Sequence, residues 1–594
     1  MDTNLKIKAL RAEMKSKNID ALIIGSADPH QSEYTPSYWS SREWISGFNG
    51  SAGTAIITHN HAGLWTDSRY FLQAEEQLSG SSMVLHKLKI QTQAEYLEWI
   101  TQNLAKDSVV ACDFWCVSMT QIAYIKSILE PSGLKFIDSN DLLSSIWLDR
   151  PQLPKTLIYE HELKYSGKIR SAKLNDVRIE MKKLNADIFL VSALDEIAYV
   201  LNLRGKDVHC NPVFVAYLCI AKNESILFID PVKVSIELKK QLLQDKIKIQ
   251  NYNELIPYLI NNSTAKILVD PATLNARLSF SLTPGNIISS TSCIMQQKAI
   301  KNNVEIKHIR KVMERDGVAL LRTMMWLENE HNNKKTPTEY ELSRQLIHFR
   351  SKNSTYVNES FDAIVGYNSN GAIIHYRPDE KTSAKIKKSG ILLFDSGGQY
   401  LDGTTDITRT FRLGPVSKEI KRQYTAVLLG HIALSKAIFP KNTKGVQLDT
   451  FARQFLWNLG LNYNHGTGHG VGFFMNVHEP PQGFVTAYNQ RGSSEFSEGM
   501  LTSNEPGYYE EGSHGIRIEN LILSTLHSDG VNGTYLSFES VTLFPYDASL
   551  IDSSMMDRSS IQWMNNYHQE VYTRLSKNLN NNEKKWLKEK CRKI

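Results

Sequence analysis

The chain has 594 residues, which is too long for a single hydrophobic core and predicts roughly three to four domains. Apolar residues make up 41% and charged residues 22% of the sequence, and these ordinary values exclude global disorder. Because 68 basic residues stand against 62 acidic ones, the net charge of +6 is too small to indicate a nucleic-acid partner.

We expect no segment of this sequence to insert into a membrane or to direct secretion. The opening stretch, MDTNLKIKALRAEMKSKN, carries acidic residues and no apolar core, unlike a signal peptide. No apolar run is long enough to span a bilayer. Of the six cysteines only Cys112 and Cys116 lie close together, and no second pair completes a zinc site. We therefore predict reduced thiols, a cytoplasmic location and no membrane partner.

An internal repeat organises the first half of the chain. LRAEMKSKNIDALII (Leu10 to Ile24) resembles VRIEMKKLNADIFLV (Val177 to Val191), and in both copies a helical pattern leads into a short apolar strand. A pair of strand patterns follows each copy, in GTAIITHNHAGLWTD (Gly53 to Asp67) and VFVAYLCIAKNESILFID (Val213 to Asp230). The repeat therefore predicts two tandem α/β domains.

The domain boundaries follow from composition and pattern. The two repeat-related domains would cover residues 1–150 and 151–302, with the boundary in the proline-rich stretch Arg150 to Lys155. A third domain would cover residues 303–594, and its end, from about residue 545, has the pattern of a helical extension rich in Asn and Lys.

Helix and strand patterns alternate in the third domain. Helices are predicted at Val304 to Glu330, Thr338 to Lys352 and Ser417 to Phe439. Strands are predicted at Ile391 to Asp395, Asp406 to Arg412, Val471 to Val477, Met500 to Ser503, Ile516 to Leu523 and Leu536 to Leu543. This mixture predicts an α+β domain.

Five residues of metal-ligand type lie at strand ends or beside glycine and proline in this region. Taken singly, each would more often be a turn, surface or core residue. Taken together, the four carboxylates would repel each other strongly unless cations neutralised them. Oxygen-rich ligation with one imidazole suits two divalent ions such as Mn²⁺, with Zn²⁺ or Co²⁺ as alternatives. The five candidates are Asp395, Asp406, His469, Glu505 and Glu519.

The motifs around these residues resemble those of the pita-bread metallopeptidases. They are ILLFDSGG, DGTTDITRTF, HGTGHGVG, NEPGYYEEG and GIRIEN. Their order and spacing are most similar to the aminopeptidase P (Xaa-Pro aminopeptidase) family. HQSEYTPSYWSSREWISGFNGSAGTAIIT and ALDEIAYVLNLRGKDVHCNPVF, earlier in the chain, are similar to its large three-domain form. The resemblance implies two creatinase-like α/β domains followed by a C-terminal pita-bread catalytic domain.

The resemblance also implies a role for each site residue. All five candidates would bind two divalent metal ions, with Mn²⁺ favoured, and Asp406 and Glu519 would bridge the two ions. Glu505 would in addition take part in catalysis by transferring a proton. Three histidines would act in catalysis and substrate binding, and one arginine in substrate binding. These residues are His375, His465, His478 and Arg517.

The implied reaction removes the N-terminal residue from peptides with proline at the second position, through a hydroxide that the two metal ions activate. The resemblance further implies a homodimer. A prolidase and an inactive pita-bread binding protein are the alternatives; the tandem N-terminal domains disfavour the first, and the complete ligand set disfavours the second. His514 in EEGSHGIR departs from the family's motif, and we predict a peripheral place for it.

Overall fold

The computed structural model describes residues 2–89 and 93–594, and the contacts among them form two compact units. The first unit comprises Met1–His161 and Lys168–Ile294, and the second comprises Glu162–Gly167 and Met295–Ile594. All six cysteines are free thiols, as predicted. Within the described ranges, no helix is both long and apolar enough to cross a membrane.

The first repeat folds into a six-stranded sheet with helices packed on it. Its helices are α1 (Thr3–Ser16), α2 (Ser41–Ser46), α3 (Phe71–Leu78), α4 (Glu95–Asn103) and α5 (Met119–Leu129). Its strands are β1 (Ala21–Ile24), β2 (Thr54–Thr58), β3 (Ala62–Thr66), β4 (Val84–Lys87), β5 (Val109–Cys112) and β6 (Lys135–Asp138). The strand order is β4-β3-β2-β1-β5-β6, with β1 antiparallel to β2 and parallel to β5.

The second repeat folds into another six-stranded sheet. The helices of this stretch are α6 (Leu163–Ser166, in the second unit), α7 (Arg170–Lys183), α8 (Leu194–Leu201), α9 (Ile236–Gln244), α10 (Leu255–Asn261), α11 (Ala276–Ser279) and α12 (Cys293–Ala299). The strands are β7 (Tyr159–Glu160), β8 (Ile188–Val191), β9 (Leu203–Arg204), β10 (Tyr217–Ala221), β11 (Ser225–Phe228), β12 (Ile247–Gln250), β13 (Ile267–Val269) and β14 (Ile287–Ser289). The sheet order is β12-β11-β10-β8-β13-β14, and β7 pairs with β9 separately.

The two sheets have the same topology. In the second, β8 is antiparallel to β10 and parallel to β13, as β1 is to its own neighbours. The leading helices match as well: α1 buries Ile7, Leu10 and Met14, and α7 buries Leu174, Val177 and Met181 at the same helical spacing. The predicted pair of repeat-related α/β domains is therefore confirmed, whereas the boundaries at 150 and 302 stay predictions.

The remaining elements belong to the second unit. The helices are α13 (Asn303–Asn332), α14 (Glu339–Arg350), α15 (Lys418–Ser435), α16 (Gly445–Trp457), α17 (Gln490–Ser493), α18 (Arg558–Leu575) and α19 (Asn581–Lys590). The strands are β15 (Tyr356–Glu359), β16 (Ile364–Tyr367), β17 (Ile391–Ser396), β18 (Gly398–Tyr400), β19 (Gly403–Thr404), β20 (Ile407–Arg412), β21 (Ile438–Pro440), β22 (Gly468–Gly470), β23 (Glu479–Phe484), β24 (Leu501–Asn504), β25 (Gly507–Glu510), β26 (His514–Arg517), β27 (Asn520–Gly530) and β28 (Gly533–Ser540).

Two sheets of this unit carry the candidate site. One is three-stranded, in the order β16-β17-β20, and the other is six-stranded, in the order β21-β28-β27-β24-β22-β23. The helices α13, α15, α18 and α19 contribute buried apolar side chains to one core with these sheets, including Leu321, Leu428, Val571 and Leu587. The predicted helical extension at the end of the chain is thus part of the packed core.

Three predicted elements differ most from the structure, and the strand predicted at Leu536 to Leu543 lies at Gly533–Ser540. The strand predicted at Val471 to Val477 is wrong: Gly472 donates its N–H to the carbonyl of Asn476 at 2.9 Å and Phe474 has φ +49°, so the chain turns there. The single strand predicted at Ile516 to Leu523 is two strands, β26 and β27. The helix predicted to end at Phe439 ends at Ser435, and β21 follows it.

Candidate metal centre

Two aspartates lie at the ends of neighbouring strands. Asp395 is the penultimate residue of β17, and Asp406 directly precedes β20. The two strands pair antiparallel with Asp395 opposite Thr408, so Asp406 lies beside the same end of the ladder. Both residues are buried, with 6% and 4% exposure. The ten residues between them in sequence include the short strands β18 and β19.

Two glutamates extend a second ladder. In β24 and β27, Asn504 pairs with Asn520, and Glu505 and Glu519 are the next residues outward. Because side chains alternate along a strand, the asparagines lie on one face and the glutamates project from the other. The N–H of Glu519 donates to the carbonyl of Thr408 at 3.0 Å, which ties this ladder to β20. The four carboxylates are thereby brought to one place.

His469, the middle residue of β22, faces these carboxylates. Its Nδ1 lies 3.0 Å from the carbonyl oxygen of Gly470, and since a carbonyl only accepts, Nδ1 carries the hydrogen. Burial lowers the pKa of His469 well below its ordinary value, so the ring is neutral. Its Nε2 lone pair points toward Glu505 Oε1 at 3.3 Å and Asp406 Oδ2 at 3.6 Å. This is the tautomer that binds a metal ion through Nε2.

The cluster has the donor atoms and the unmet charge that divalent cations require. One ligand atom each from Asp406, His469 and Glu519 lies within 4.8 Å of the others. Two buried oxygens, Asp395 Oδ1 and Glu519 Oε1, have no hydrogen-bond partner among the described residues. Burial, and after it repulsion from neighbouring carboxylates, raises the pKa of Asp406 and of Glu519 well above the usual carboxyl range. Bound cations would relieve both the repulsion and the unpaired oxygens.

Arg517, at the end of β26, supports this cluster from one side and is 2% exposed. Its guanidinium donates to Asp395 Oδ2 at 2.6 Å and to Thr408 Oγ1 at 3.2 Å. It also donates to the Tyr509 hydroxyl at 2.7 Å and to the Ile374 carbonyl at 3.3 Å. Arg517 therefore fixes the one carboxylate that faces it and links that carboxylate to two other segments of the site.

Tyr509 connects Arg517 to His465. The Tyr509 hydroxyl accepts from Arg517 and lies 2.9 Å from His465 Nε2. His465 Nδ1 lies 2.7 Å from the carbonyl of Gly466, so it carries the ring hydrogen and Nε2 accepts from Tyr509. Burial raises the pKa of Tyr509 to about 12, which keeps its hydroxyl protonated as this chain of hydrogen bonds requires.

The other predicted histidines lie around the same cluster. His478 directly precedes β23 and stands edge-on to His469, with ring centroids 4.2 Å apart and planes at 77°. His375 follows Ile374, the residue whose carbonyl contacts Arg517. His514 lies outside the cluster: it is buried, and its Nε2 lies 2.8 Å from Gln423 Oε1 on α15.

Three residues of the site were missed in the sequence. Tyr509 lies four positions after Glu505 in EPGYY. Thr408, two positions after Asp406, donates from Oγ1 to Glu519 Oε2 at 2.8 Å. The Ser503 hydroxyl donates to a glutamate oxygen, Glu505 Oε1, at 3.3 Å. Each lies within four positions of a candidate ligand, but hydroxyl residues are so common beside strands that their proximity alone selects none of them.

Four family profiles match the chain. The profile of the Creatinase/Prolidase N-terminal domain matches residues 6–146, and a second profile of that description matches residues 149–305. The profile of Metallopeptidase family M24 matches residues 307–525, and the C-terminal region of peptidase M24 matches residues 534–594. The five candidate ligands all fall within the M24 match.

Curated relatives cover nearly the whole chain. Xaa-Pro aminopeptidase 1 of Dictyostelium discoideum is 40% identical over 98% of this chain and 95% of its own length. The chain belongs to the Xaa-Pro aminopeptidase family. Aminopeptidase P2 of Arabidopsis thaliana, another relative of the family, is 39% identical over 94% of this chain and 83% of its own length.

A solved structure within the family supports the fold. The crystal structure of X-prolyl aminopeptidase from Caenorhabditis elegans, described as a cytosolic enzyme with a di-nuclear active site, superposes with a TM-score of 0.95. The two chains are 32% identical and each is covered over 100% of its length. The predicted fold class, two creatinase-like domains and a pita-bread domain, is confirmed.

Proposed function

We propose that this protein removes the N-terminal residue from peptides with proline at the second position. We further propose that the reaction depends on two divalent metal ions, with Mn²⁺ as the favoured metal. The observation that carries the proposal is the convergence of Asp406, His469 and Glu519, with buried carboxylate oxygens left unpaired beside them. The family relationship supports the choice of substrate, because relatives that match almost end to end are named for this activity.

We assign all five candidates as metal ligands, with Asp406 and Glu519 as the bridging carboxylates. Two bound divalent ions would supply Lewis-acid polarisation of the scissile carbonyl and lower the pKa of water at the site. Hydrogen bonds from neighbouring residues orient the proposed ligand atoms. His469 is held with its Nε2 lone pair inward, and Thr408 holds one oxygen of Glu519 so that the other stays available.

We assign Arg517, Tyr509 and His465 to positioning. Arg517 holds one oxygen of Asp395, and the hydrogen-bond chain through Tyr509 fixes the plane of His465. Both ring nitrogens of His465 already form hydrogen bonds, to the Gly466 carbonyl and to Tyr509. We therefore assign His465 to holding Tyr509 and Arg517 in place in the resting enzyme. His478 is then the histidine we assign to stabilising the oxyanion of the tetrahedral intermediate, and His375 helps to place the peptide.

Glu505 is the residue we assign to proton transfer. Its side chain is 18% exposed, against 5% for Asp406 and 9% for Asp395, so it faces solvent more than those two do. Burial raises its pKa to about 7. A prolyl amide nitrogen carries no hydrogen, and it must gain a proton as the C–N bond breaks. A carboxyl group that both opens to water and borders the cluster suits that transfer.

Chelation followed by single-metal addition tests the proposal. The chelated enzyme is expected to lose nearly all hydrolysis of an Xaa-Pro-Xaa tripeptide and to regain it with two equivalents of Mn²⁺ per chain. The reason is that the proposed reaction needs bound cations, which neutralise the carboxylates and lower the pKa of water at the site. Release of the first residue is measured by chromatography, with an Xaa-Ala-Xaa peptide as control. Cleavage restricted to Xaa-Pro dipeptides would favour the prolidase alternative, and a metal-loaded protein inert to every peptide would favour a binding protein.

Tyr509→Phe tests the positioning chain. The variant is expected to keep its metal content but lose about tenfold in kcat. Loss of a hydrogen-bonding residue that supports a metal site from outside typically lowers metal affinity or activity 10- to 100-fold. Metal analysis and steady-state kinetics are the measurements. Tyr508→Phe, which removes the hydroxyl of the neighbouring tyrosine, is the control and should retain wild-type kcat. Equal kinetics for the two variants would contradict the assigned role.

The proposed setting follows the family. We propose a cytoplasmic enzyme whose partners are peptides with proline at position two and which assembles as a homodimer. The Caenorhabditis elegans relative, described as cytosolic, supports the location. Sedimentation of the purified protein tests the dimer.

A further inference from the structure

Beneath the two candidate glutamate ligands lies a buried polar bridge that the reaction itself does not use. It joins the residues next to these glutamates, Asn504 and Asn520, which pair across β24 and β27 on the face opposite the cluster. Both asparagines have 0% exposure. The bridge is completed by His431 of α15 and by Tyr546, which follows β28.

The hydrogen bonds of the bridge have one consistent direction. His431 Nδ1 lies 3.0 Å from the carbonyl of Asn504, so Nδ1 carries the hydrogen and Nε2 accepts. The Tyr546 hydroxyl, 2.9 Å from that Nε2, donates to it. Asn520 Nδ2 in turn donates to the Tyr546 oxygen at 2.8 Å. Burial lowers the pKa of His431 to about 3, which agrees with a neutral ring.

Other contacts fix Tyr546 in place. The Arg409 guanidinium lies 4.4 Å from the centre of the Tyr546 ring and donates to Asn520 Oδ1 at 2.8 Å and to the Glu519 carbonyl at 2.6 Å. The N–H of Tyr546 donates to His568 Nε2 of α18 at 3.1 Å. The hydroxyl therefore cannot move without breaking contacts on several elements, which is what a rigid support requires.

We propose that Tyr546 is a positioning residue that sets the spacing of Glu505 and Glu519 through their neighbours Asn504 and Asn520. The Tyr546 hydroxyl accepts from the Asn520 side chain and, through His431, supports the backbone carbonyl of Asn504. Its loss removes a support shared by these two residues, so they can shift slightly within the β24–β27 ladder. Two carboxylates that must reach the same pair of cations are sensitive to such a shift, because metal affinity depends on supporting hydrogen bonds. This inference rests on the proposed metal-dependent function.

The test is Tyr546→Phe, measured in the full-length protein after chelation. The Kd for Mn²⁺, from calorimetry, is expected to rise about tenfold, and kcat at saturating Mn²⁺ to fall by a similar factor, while KM for the peptide stays within about twofold. Such a separation of metal affinity from KM would not arise from a general loss of stability.

Tyr217→Phe is the matched control. Tyr217 is equally buried, at 1% exposure, and its hydroxyl accepts from an asparagine, Asn275 Nδ2, at 2.9 Å, but it lies in the unit without the candidate ligands. The Tyr217→Phe variant should lower the unfolding midpoint by about as much as Tyr546→Phe does and leave the Kd for Mn²⁺ unchanged. If both variants bind Mn²⁺ with the wild-type Kd, the hydroxyl is only structural and the inference is overturned.

A second variant covers the case in which Tyr546→Phe does not fold. His431→Leu removes the same bridge from the other side and is expected to raise the Kd for Mn²⁺ to a similar degree; an unchanged Kd would overturn the inference as well. Calorimetry with Mn²⁺ needs no peptide. If the wild-type enzyme cleaves no prolyl peptide, the proposed function fails, while the effect of Tyr546 on metal binding is still decided.

Discussion

Asp406→Asn is expected to lose on the order of a thousandfold or more in kcat/KM on an Xaa-Pro-Xaa peptide, because it removes the charge of a proposed bridging ligand and with it several kcal/mol of transition-state stabilisation. Asp406 is 4% exposed and its Oδ2 lies 3.6 Å from His469 Nε2, so the substitution falls inside the cluster of candidate ligands. Metal analysis is expected to find fewer than two ions per chain. Kinetics and metal content are measured on the same preparation.

Asp406→Asn, which lowers activity, is expected to increase the stability of the metal-free protein. Since burial and repulsion from the neighbouring carboxylates both disfavour a charged Asp406, its neutral replacement should raise the unfolding free energy of the chelated protein. Glu583→Gln is the control: this carboxylate is 7% exposed and pairs with Arg322 of α13 and not with a candidate ligand, so its loss should not affect metal content or activity. An Asp406→Asn enzyme with two ions and wild-type activity would refute the ligand assignment.

Arg517→Met is expected to have the second largest effect. Removing one partner of a buried ion pair leaves the other charge unpaired, which costs about 3–5 kcal/mol. In the metal-free protein the charge left behind is Asp395, and the Tyr509 hydroxyl also loses its donor. We expect a lower unfolding free energy in urea and a fall in kcat/KM of about a hundredfold. Arg517→Lys should recover only part of this, because an ammonium cannot replace the fork of hydrogen bonds.

A matched arginine separates the two effects. Arg170 is 5% exposed and pairs with Glu160 and Asp245 in the first unit. Arg170→Met should therefore lower stability without changing metal content or kcat. If Arg517→Met behaved in the same way, Arg517 would have no part in the site beyond folding.

Much of the architecture was predictable because it is local and repeated. The helix-to-strand passages at Leu10 to Ile24 and Val177 to Val191 share their buried positions, and each lies at the centre of its sheet. The five candidate ligands were also predictable, since Asp395 and its counterparts occur in motifs where glycine or proline marks the ends of strands. The structure brings these positions together, with His469 within 4 Å of Asp406 and Glu505.

What sequence reasoning missed depends on contacts between distant segments. Tyr546 and Arg409 look like ordinary strand-associated residues, and only the folded chain places them beneath Asn520. The strand predicted at Val471 to Val477 failed for a different reason. Its apolar pattern is that of a strand, but Phe474 adopts a left-handed conformation that no pattern of hydrophobicity reports.

The order of these residues along the chain has a consequence for biosynthesis. Asp395 is the first of the proposed ligands and Glu519 the last, with Tyr546 later still. Ribosomes make the chain from its N-terminus, so both tandem domains are complete before any ligand emerges. A nascent or prematurely terminated polypeptide that stops before Glu519 lacks at least one of the five proposed ligands, so a truncated product would not carry the complete proposed metal centre.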